Sequence, residues 1–329
     1  MIVLLVLLLV VAAGRAAQWR LARTHPAPGE LVDVGGYRLH IQRSGVGPTV
    51  VLDAGAGGTS YDWALVRKGV DRFATTIAYD RAGLGRSELG TKPRSVQKEV
   101  TDLRAALRAS GLHPPYVLVG HSYGGLVVRA YAYEHTEEVS GLVLVDAAHE
   151  DQFDHYPKEY VDSGRRMGRA MRRMAWITGA AVGSGIPAFF AGRIPDVVAD
   201  ALPPDVGADR RATTVMSSKH LRTVTDEFAA LEDSFSYVRQ IRRPLGDLPV
   251  IVITHGVPVT AGVPEHLRSA VEKAWQEMQS DLTSISTSAS LVVAERSGHN
   301  IHVEQPDIIV DAIFSVLNSR RRAHGALTS

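Results

Sequence analysis

A serine in a glycine-rich turn carries the clearest chemical signal in this sequence. Residues 120–125 read Gly-His-Ser-Tyr-Gly-Gly and lie between a short apolar run and an amphipathic stretch. A nucleophile on a sharp strand-to-helix turn needs small residues two positions before and after it, because the neighbouring backbone packs closely there. We therefore predict that Ser122 is a nucleophile and that Gly120, His121 and Gly124 shape its turn.

A serine hydroxyl is a weak nucleophile, so it needs a base, and the base needs an acid that orients it. His299 lies in a polar loop after the last apolar run and is the predicted base, whereas we interpret His302 as a structural or rim histidine. Asp146 directly follows another apolar run, and a carboxylate at a strand end is held rigidly. Asp146 is the predicted acid, and Glu150 and Asp151 are the alternatives.

The composition excludes several other chemistries. The 329 residues include no cysteine, which excludes disulfides, thiolate zinc sites and a cysteine nucleophile. His299, His302 and Glu304 have the spacing of metal ligands, but no further ligand set is anchored elsewhere, so we predict neither a metal nor an organic cofactor.

Thirty-six Lys and Arg against 35 Asp and Glu give a net charge of +1. Such a balance provides no basic field for nucleic acid, which we exclude as a partner.

Short apolar runs and helical patterns alternate along most of the chain and must position these residues. The runs are rich in β-branched residues, as buried parallel strands are. They lie at residues 37–41, 48–52, 75–79, 116–119, 142–145, 249–253 and 291–294. Between them lie amphipathic helical patterns, of which residues 95–110 are the clearest. This alternation predicts an α/β fold with a mostly parallel central sheet that is flanked by helices.

The pattern divides the chain into five predicted segments. From about residue 150 to 243 the alternation stops, and a helical stretch with several prolines indicates an inserted cap. We therefore predict a core in two parts around this cap, preceded by a separate apolar segment and followed by a short tail. The boundaries are 1–23 for the apolar segment, 31–149 and 244–320 for the core, 150–243 for the cap and 321–329 for the tail.

Residues 1–23 indicate either a short membrane anchor or a cleaved secretion signal. Residues 1–13 are wholly apolar, which is shorter than the roughly 20 residues that cross a bilayer, unless Arg15 snorkels and the segment continues to Leu21. No basic residue precedes the apolar run, as a signal peptide would require. The three arginines that follow would keep an anchored domain cytoplasmic. We predict a membrane-associated or exported protein, with the side of the membrane unresolved.

Four motifs resemble those of the α/β-hydrolase fold superfamily, from about Val34 to Asn318. Residues 53–57 (Asp-Ala-Gly-Ala-Gly) occupy the place of its oxyanion loop, and residues 79–87 resemble its tight turn. The segment 120–125 resembles its nucleophile elbow, and residues 298–299 (Gly-His) resemble its histidine loop. The resemblance implies that the backbone N–H groups of Ala56 and Tyr123 form an oxyanion hole. Ala54 departs from the family's usual histidine, whose side chain braces that loop.

The acid also departs from the usual pattern of the superfamily. Most members carry it after the penultimate strand, but residues 253–260 contain no carboxylate here. Some members place the acid after the earlier strand, as Asp146 would be. Both strand ends face the same edge of the sheet, so either position can reach the histidine.

These residues predict a serine hydrolase that cleaves carboxylic esters through a Ser-His-Asp triad and an acyl-enzyme intermediate. A serine nucleophile disfavours the epoxide-hydrolase and haloalkane-dehalogenase chemistries of the same fold. Amide or peptide hydrolysis, acyl transfer and a non-catalytic binding protein are the alternatives.

The predicted cap indicates the kind of substrate. Its Trp176, Phe189 and Phe190 favour a small-molecule ester with an apolar acyl or aromatic group. The basic segment 165–173 is either a solvated helix face or a surface that touches anionic lipid.

Overall fold

The computed structural model describes residues 9–16, 28–185 and 194–327, and an eight-stranded sheet lies at its centre. The strands, in chain order, are β1 (Glu30–Asp33), β2 (Arg38–Ser44), β3 (Thr49–Asp53), β4 (Thr75–Tyr79), β5 (Tyr116–His121), β6 (Val139–Val145), β7 (Val250–His255) and β8 (Ala289–Ala294). Their order across the sheet is β1-β2-β4-β3-β5-β6-β7-β8. Strand β2 is antiparallel to both its neighbours, and all other pairs are parallel. The predicted mostly parallel sheet is confirmed, and β1 is a strand that the sequence pattern did not indicate.

Helices cover both faces of the sheet. They are α1 (Ala64–Val70), α2 (Val96–Ala109), α3 (Tyr123–Glu134), α4 (Gln152–His155), α5 (Lys158–Gly183), α6 (Val197–Ala201), α7 (Pro204–Thr213), α8 (Ser218–Ala229), α9 (Leu231–Ile241), α10 (Arg268–Asp281), α11 (Ile301–Glu304) and α12 (Pro306–Leu327). A short 3-10 helix at Ser60–Trp63 precedes α1. Ser95 directly precedes α2, and its side chain accepts a hydrogen bond from the backbone of Lys98 and so caps the helix.

The hydrophobic core lies on both faces of the sheet because side chains alternate along each strand. On β3, Val51 belongs to the apolar cluster shared with α2 and α3, whereas Val50 and Leu52 belong to the cluster shared with α1 and α12. The same alternation places Leu118 of β5 on the first face and Val119 on the second. Burial on both faces explains why these strands are continuous apolar runs in the sequence.

Between β6 and β7 every element within the described residues is a helix, from α4 to α9. Helix α5 packs against α8, while α9 packs against α3 and α7 packs against the 3-10 helix at Ser60–Trp63, so the stretch contacts the core at more than one place. We keep residues 150–243 as the proposed cap. Phe189 and Phe190, which we expected on its underside, lie outside the described residues, as does the side chain of Trp176.

The N-terminal segment is described only at residues 9–16, which are helical. The backbone of Gly14 and Arg15 lies directly against Gly185, at the end of the stretch that contains α5. No helix among the described residues is both long and apolar enough to cross a membrane. Most of residues 1–23, for which an anchor or a secretion signal was predicted, lie outside the described residues, so the transmembrane helix, membrane association and export stay predictions.

Candidate active site

Ser122 lies in a strained turn between β5 and α3. Its φ of 50° is in the left-handed region that non-glycine residues rarely adopt. A Cβ atom at Gly120 would overlap the carbonyl oxygen of Gly124, and one at Gly124 would overlap that of Asp53. The glycines two positions before and after the serine are thus required by close backbone contacts, as the sequence spacing indicated. The turn places Ser122 at the carboxyl edge of the sheet.

Asp146 lies at the same edge, directly after β6. Its backbone N–H donates to the carbonyl oxygen of Ile253 at 2.6 Å, while the N–H of Ser122 donates to Val145 at 3.1 Å. Asp146 also has a positive φ, of 43°, so its backbone is strained as that of Ser122 is. The two strained residues are thereby fixed to adjacent strands within one hydrogen-bonded frame.

The carboxylate of Asp146 is fully buried and binds His299. Its Oδ2 atom lies 2.6 Å from Nδ1 of His299, and its Oδ1 atom accepts from the indole N–H of Trp275 at 2.8 Å. Burial by itself would raise the pKa of Asp146, but hydrogen bonds and charge from His255 and His299 outweigh it and hold the pKa well below the usual range. The group is therefore a fixed negative charge beside the imidazole, with Nε2 of His299 left free of Asp146.

His121 links the nucleophile's turn to the histidine loop. Its Nε2 atom lies 2.9 Å from the carbonyl oxygen of His299, and the two rings are 4.7 Å apart. Burial, together with the charges of His302 and His299, lowers the pKa of His121 well below its ordinary value, so the ring is neutral and donates to that carbonyl. His121 was predicted only as a turn residue, and its contact joins the histidine loop to the residue that precedes Ser122.

The remaining candidates near this loop have structural contacts. His302 is 2% exposed and packs between the rings of His121, at 4.5 Å, and Trp63, at 5.8 Å. Burial lowers the pKa of His302 to about 3. Glu304 accepts from the backbone N–H of Gly298 at 2.7 Å and so holds the loop. Within the described ranges no group of three or more potential ligands is arranged to hold a metal ion.

The two alternative acids are bound by arginines instead. Glu150 is fully buried and accepts from Arg129 at 2.6 Å, and Asp151 accepts from Arg239 at 2.5 Å. Of the three carboxylates considered from the sequence, Asp146 is the one that the structure bonds to His299.

The loop that carries Ala56 lies against the nucleophile's turn. A Cβ atom at Gly55 would come 3.0 Å from Nδ1 of His121 and 3.3 Å from Cβ of Ser122. On the other side, Tyr123 is the first residue of α3, and the first N–H groups of a helix have no acceptor within that helix. The two backbone groups predicted to receive an oxyanion thus lie on segments that flank Ser122.

Arg81 braces this loop, and sequence reasoning did not single it out. Its guanidinium donates to the carbonyl oxygens of Ala54 at 2.6 Å and Gly55 at 2.7 Å. It also binds Asp53 at 2.5 Å, so one side chain ties together the end of β3 and the loop that follows it. Arg81 thus holds the loop that a histidine at the position of Ala54 usually braces in the superfamily. The signal in the sequence was its position in the 79–87 turn, next to Asp80.

A carboxylate from helix α8 completes the brace. Glu227 accepts from Nε of Arg81 at 3.0 Å and from the backbone N–H of Gly57 at 2.8 Å. Arg94 binds both Glu227 and Glu99, each at 2.8 Å. With Asp53, this buried cluster has two arginines and three carboxylates, and burial raises the pKa of Glu99 to about 7. The cluster couples the oxyanion loop to the helical stretch between β6 and β7.

Comparisons with known proteins assign the chain to a class. Residues 50–312 match the alpha/beta hydrolase family, and the chain belongs to that family. It is 26% identical over 289 residues to the uncharacterized protein YqjL of Bacillus subtilis, an alignment that covers 86% of this chain and 89% of YqjL.

Solved structures show the same fold with different activities in their names. The epoxide hydrolase CorEH has a TM-score of 0.64 at 19% identity, with 88% of this chain and 98% of that one covered. A thermophilic esterase from Thermogutta terrifontis has a TM-score of 0.61 at 20% identity, with 89% and 99% covered. At such identities the likeness shows the fold, and the chemistry has to be argued from the site.

The buried brace leads to a prediction about stability. Replacing Arg81 by Gln should lower the free energy of unfolding by about 3–5 kcal/mol, because buried carboxylates lose their cation. Chemical denaturation monitored by circular dichroism measures this. The matched control is Arg38→Gln, which removes an exposed pair with Glu88 and should cost less than about 1 kcal/mol. Equal losses in the two variants would contradict the assignment of Arg81 as a brace.

Proposed function

We propose that this protein is a serine hydrolase that cleaves carboxylic esters of small molecules through Ser122, His299 and Asp146. The observation that carries the proposal is the 2.6 Å contact between Asp146 and Nδ1 of His299, beside the strained turn of Ser122. This contact directs the other ring nitrogen of His299 away from the acid. An acid, an oriented imidazole and a hydroxyl on a tight turn are the parts that a serine nucleophile requires.

The proposed reaction has two steps. His299 takes the hydroxyl proton of Ser122 as the oxygen attacks the ester carbonyl, and the imidazolium then gives that proton to the leaving alcohol. His299 then deprotonates a water molecule that attacks the acyl-serine, and the imidazolium returns this proton to Oγ of Ser122 as the acyl–oxygen bond breaks and the free acid leaves. Asp146 stabilises the imidazolium, and the backbone N–H groups of Ala56 and Tyr123 receive the oxyanion.

Two contacts support a catalytic protein over a non-catalytic one that keeps the fold. The acid that is missing after β7 is supplied by Asp146 at the end of β6, and the brace that Ala54 lacks is supplied by Arg81. A serine in the turn also favours ester hydrolysis over the epoxide hydrolysis of the neighbour CorEH, since the attacking group on this chain is a hydroxyl.

The preference for an apolar acyl or aromatic group rests on aromatic side chains at the start of the proposed cap. Tyr156 and Tyr160 pack edge to face there, with ring centroids 5.2 Å apart. Burial raises the pKa of Tyr156, so its ring lies in a largely dry environment. Aromatic rings suit an apolar group of the substrate.

The nucleophile is tested by a fluorophosphonate probe together with p-nitrophenyl esters from acetate to palmitate. The wild-type protein should be labelled and should hydrolyse at least one ester, and Ser122→Ala should lose both properties because no hydroxyl remains. Ser60→Ala, a buried serine outside the proposed triad, is the matched control and should keep the label. Labelling that persists in Ser122→Ala would remove this serine as the nucleophile.

The acid is tested by Asp146→Asn. This change should lower kcat by about 10⁴-fold, because an amide favours the wrong tautomer of the histidine. Steady-state kinetics on the best ester measures the loss. Asp151→Asn, which changes an alternative acid that is paired with Arg239, should stay within about threefold of wild type. A larger loss of kcat in Asp151→Asn than in Asp146→Asn would instead identify Asp151 as the acid.

Added alcohol separates hydrolysis from acyl transfer. In a hydrolase, methanol at moderate concentration should leave the free acid as the main product in chromatographic analysis. Predominant methyl ester formation would instead favour the acyltransferase alternative on the same triad.

A further inference from the structure

A second histidine binds the acid of the proposed triad. His255 ends β7, the strand after which most superfamily members carry their acid, and its side chain is 3% exposed. Its Nδ1 atom lies 2.9 Å from Oδ1 and 2.7 Å from Oδ2 of Asp146, and its backbone N–H donates to Oδ1 at 3.1 Å. Oδ2 of Asp146 is therefore shared between the rings of His255 and His299.

The other nitrogen of His255 also faces a carboxylate. Its Nε2 atom lies 3.2 Å from Oε2 of Glu272 on helix α10. A neutral imidazole has one N–H donor and one lone pair, so one of these two carboxylates would face a lone pair. The charged ring donates at both nitrogens and satisfies Asp146 and Glu272 together.

The surroundings hold the ring in this orientation. Trp275 stacks on it with ring centroids 6.0 Å apart and planes at 22°, and Gln276 binds both the carbonyl oxygen of His255 and Glu272. The other titratable groups that interact with this chain of contacts are His299, whose Nδ1 lies 2.6 Å from Asp146, and His121 and Tyr156, on which its charges act.

The electrostatic balance agrees with this geometry. Burial disfavours the charged form of His255, but the hydrogen bond and charge of Asp146, followed by those of Glu272, outweigh burial and raise its pKa to about 9. The ring is therefore charged at neutral pH and begins to lose its proton near pH 9.

We infer that His255 and Glu272 are positioning residues that act through Asp146: a buried imidazolium fixes the plane of the carboxylate, and Glu272 offsets its positive charge. The inference rests on the proposed triad and extends it by these two residues. Glu272, His255 and Asp146 alternate in charge as negative, positive and negative, so the set leaves one negative charge for His299. Without Glu272, the positive charge of His255 would neutralise the negative charge of Asp146. Without His255, the negative charges of Asp146 and Glu272 would both remain uncompensated.

This arrangement predicts opposite changes in the pH profile for the two variants. The proposed base, His299, must be neutral to accept a proton, so kcat/KM falls at low pH as the ring becomes protonated. We call this falling part of the pH profile the acid limb. His255→Gln removes a positive charge, favours a protonated base and should move the acid limb of kcat/KM up by about 1 pH unit. Glu272→Gln removes a negative charge and should move the same limb down by about half a unit. A merely structural role would lower the rate without moving the limb.

Two control variants isolate charge from packing. Trp275→Phe removes a neutral donor from the same carboxylate, so its limb should move less than that of His255→Gln. His149→Gln removes another buried histidine, which is paired with Asp281 at 2.9 Å, and should leave the limb in place. Limbs that move in the same direction for His255→Gln and Glu272→Gln, or that do not move, would overturn the inference.

A measurement without turnover keeps the test independent of the proposed function and of how well the variants fold. In ¹⁵N-histidine-labelled Ser122→Ala, nitrogen NMR should show both ring nitrogens of His255 protonated at pH 7, with the change to a neutral ring near pH 9. A neutral His255 ring at pH 7 would overturn the inference even if the protein is an active hydrolase. If the His255 ring is charged but the wild-type protein is not labelled by the fluorophosphonate probe, the proposed function is rejected and the inference about His255 is not.

Discussion

The buried charge of Asp146 is the constraint on which the arrangement of the site depends. A carboxylate taken out of water loses several kcal/mol of hydration, and only well-placed donors and cations restore it. Asp146 is bound by the rings of His255 and His299 and by the indole of Trp275, which come from three different parts of the chain. The strand end, the histidine loop and helix α10 therefore meet at one point, and that point is also where the proposed serine nucleophile needs its base to be oriented.

A second buried cluster plays the same part for the oxyanion loop. Arg81 and Glu227 bind the backbone of residues 54–57 from two sides, and Glu227 belongs to α8, outside the sheet. The position of the loop is thus set by side chains that are 146 residues apart in the sequence. Breaking such a cluster by removing its cation is costly, which ties the geometry of the proposed oxyanion hole to the stability of the whole protein.

The sequence predicts a feature when the signal for that feature lies in a few neighbouring residues. The buried strands were visible because burial on both faces makes them short apolar runs, whereas β1, with three of its four residues exposed, has no such run. Ser122 was visible through the glycines that its turn requires, and Asp146 and His299 through their places at strand ends. Arg81, Glu227 and His255 were not singled out, because their importance lies in partners distant in sequence, and a single sequence does not show which distant residues meet.

The position of His255 shows what occupies the end of β7 when the proposed acid lies on β6. Strands β6 and β7 are parallel neighbours, with Val145 beside Ile253, so their carboxyl ends lie close together at one edge of the sheet. Placing the carboxylate on β6 leaves the end of β7 free for a side chain that must face that carboxylate. A hydrophobic residue there would leave a carboxylate oxygen with fewer donors, whereas a histidine backed by Glu272 supplies a donor and a compensated charge. In this chain the position at which most superfamily members carry their acid is thus taken by a partner of the proposed acid.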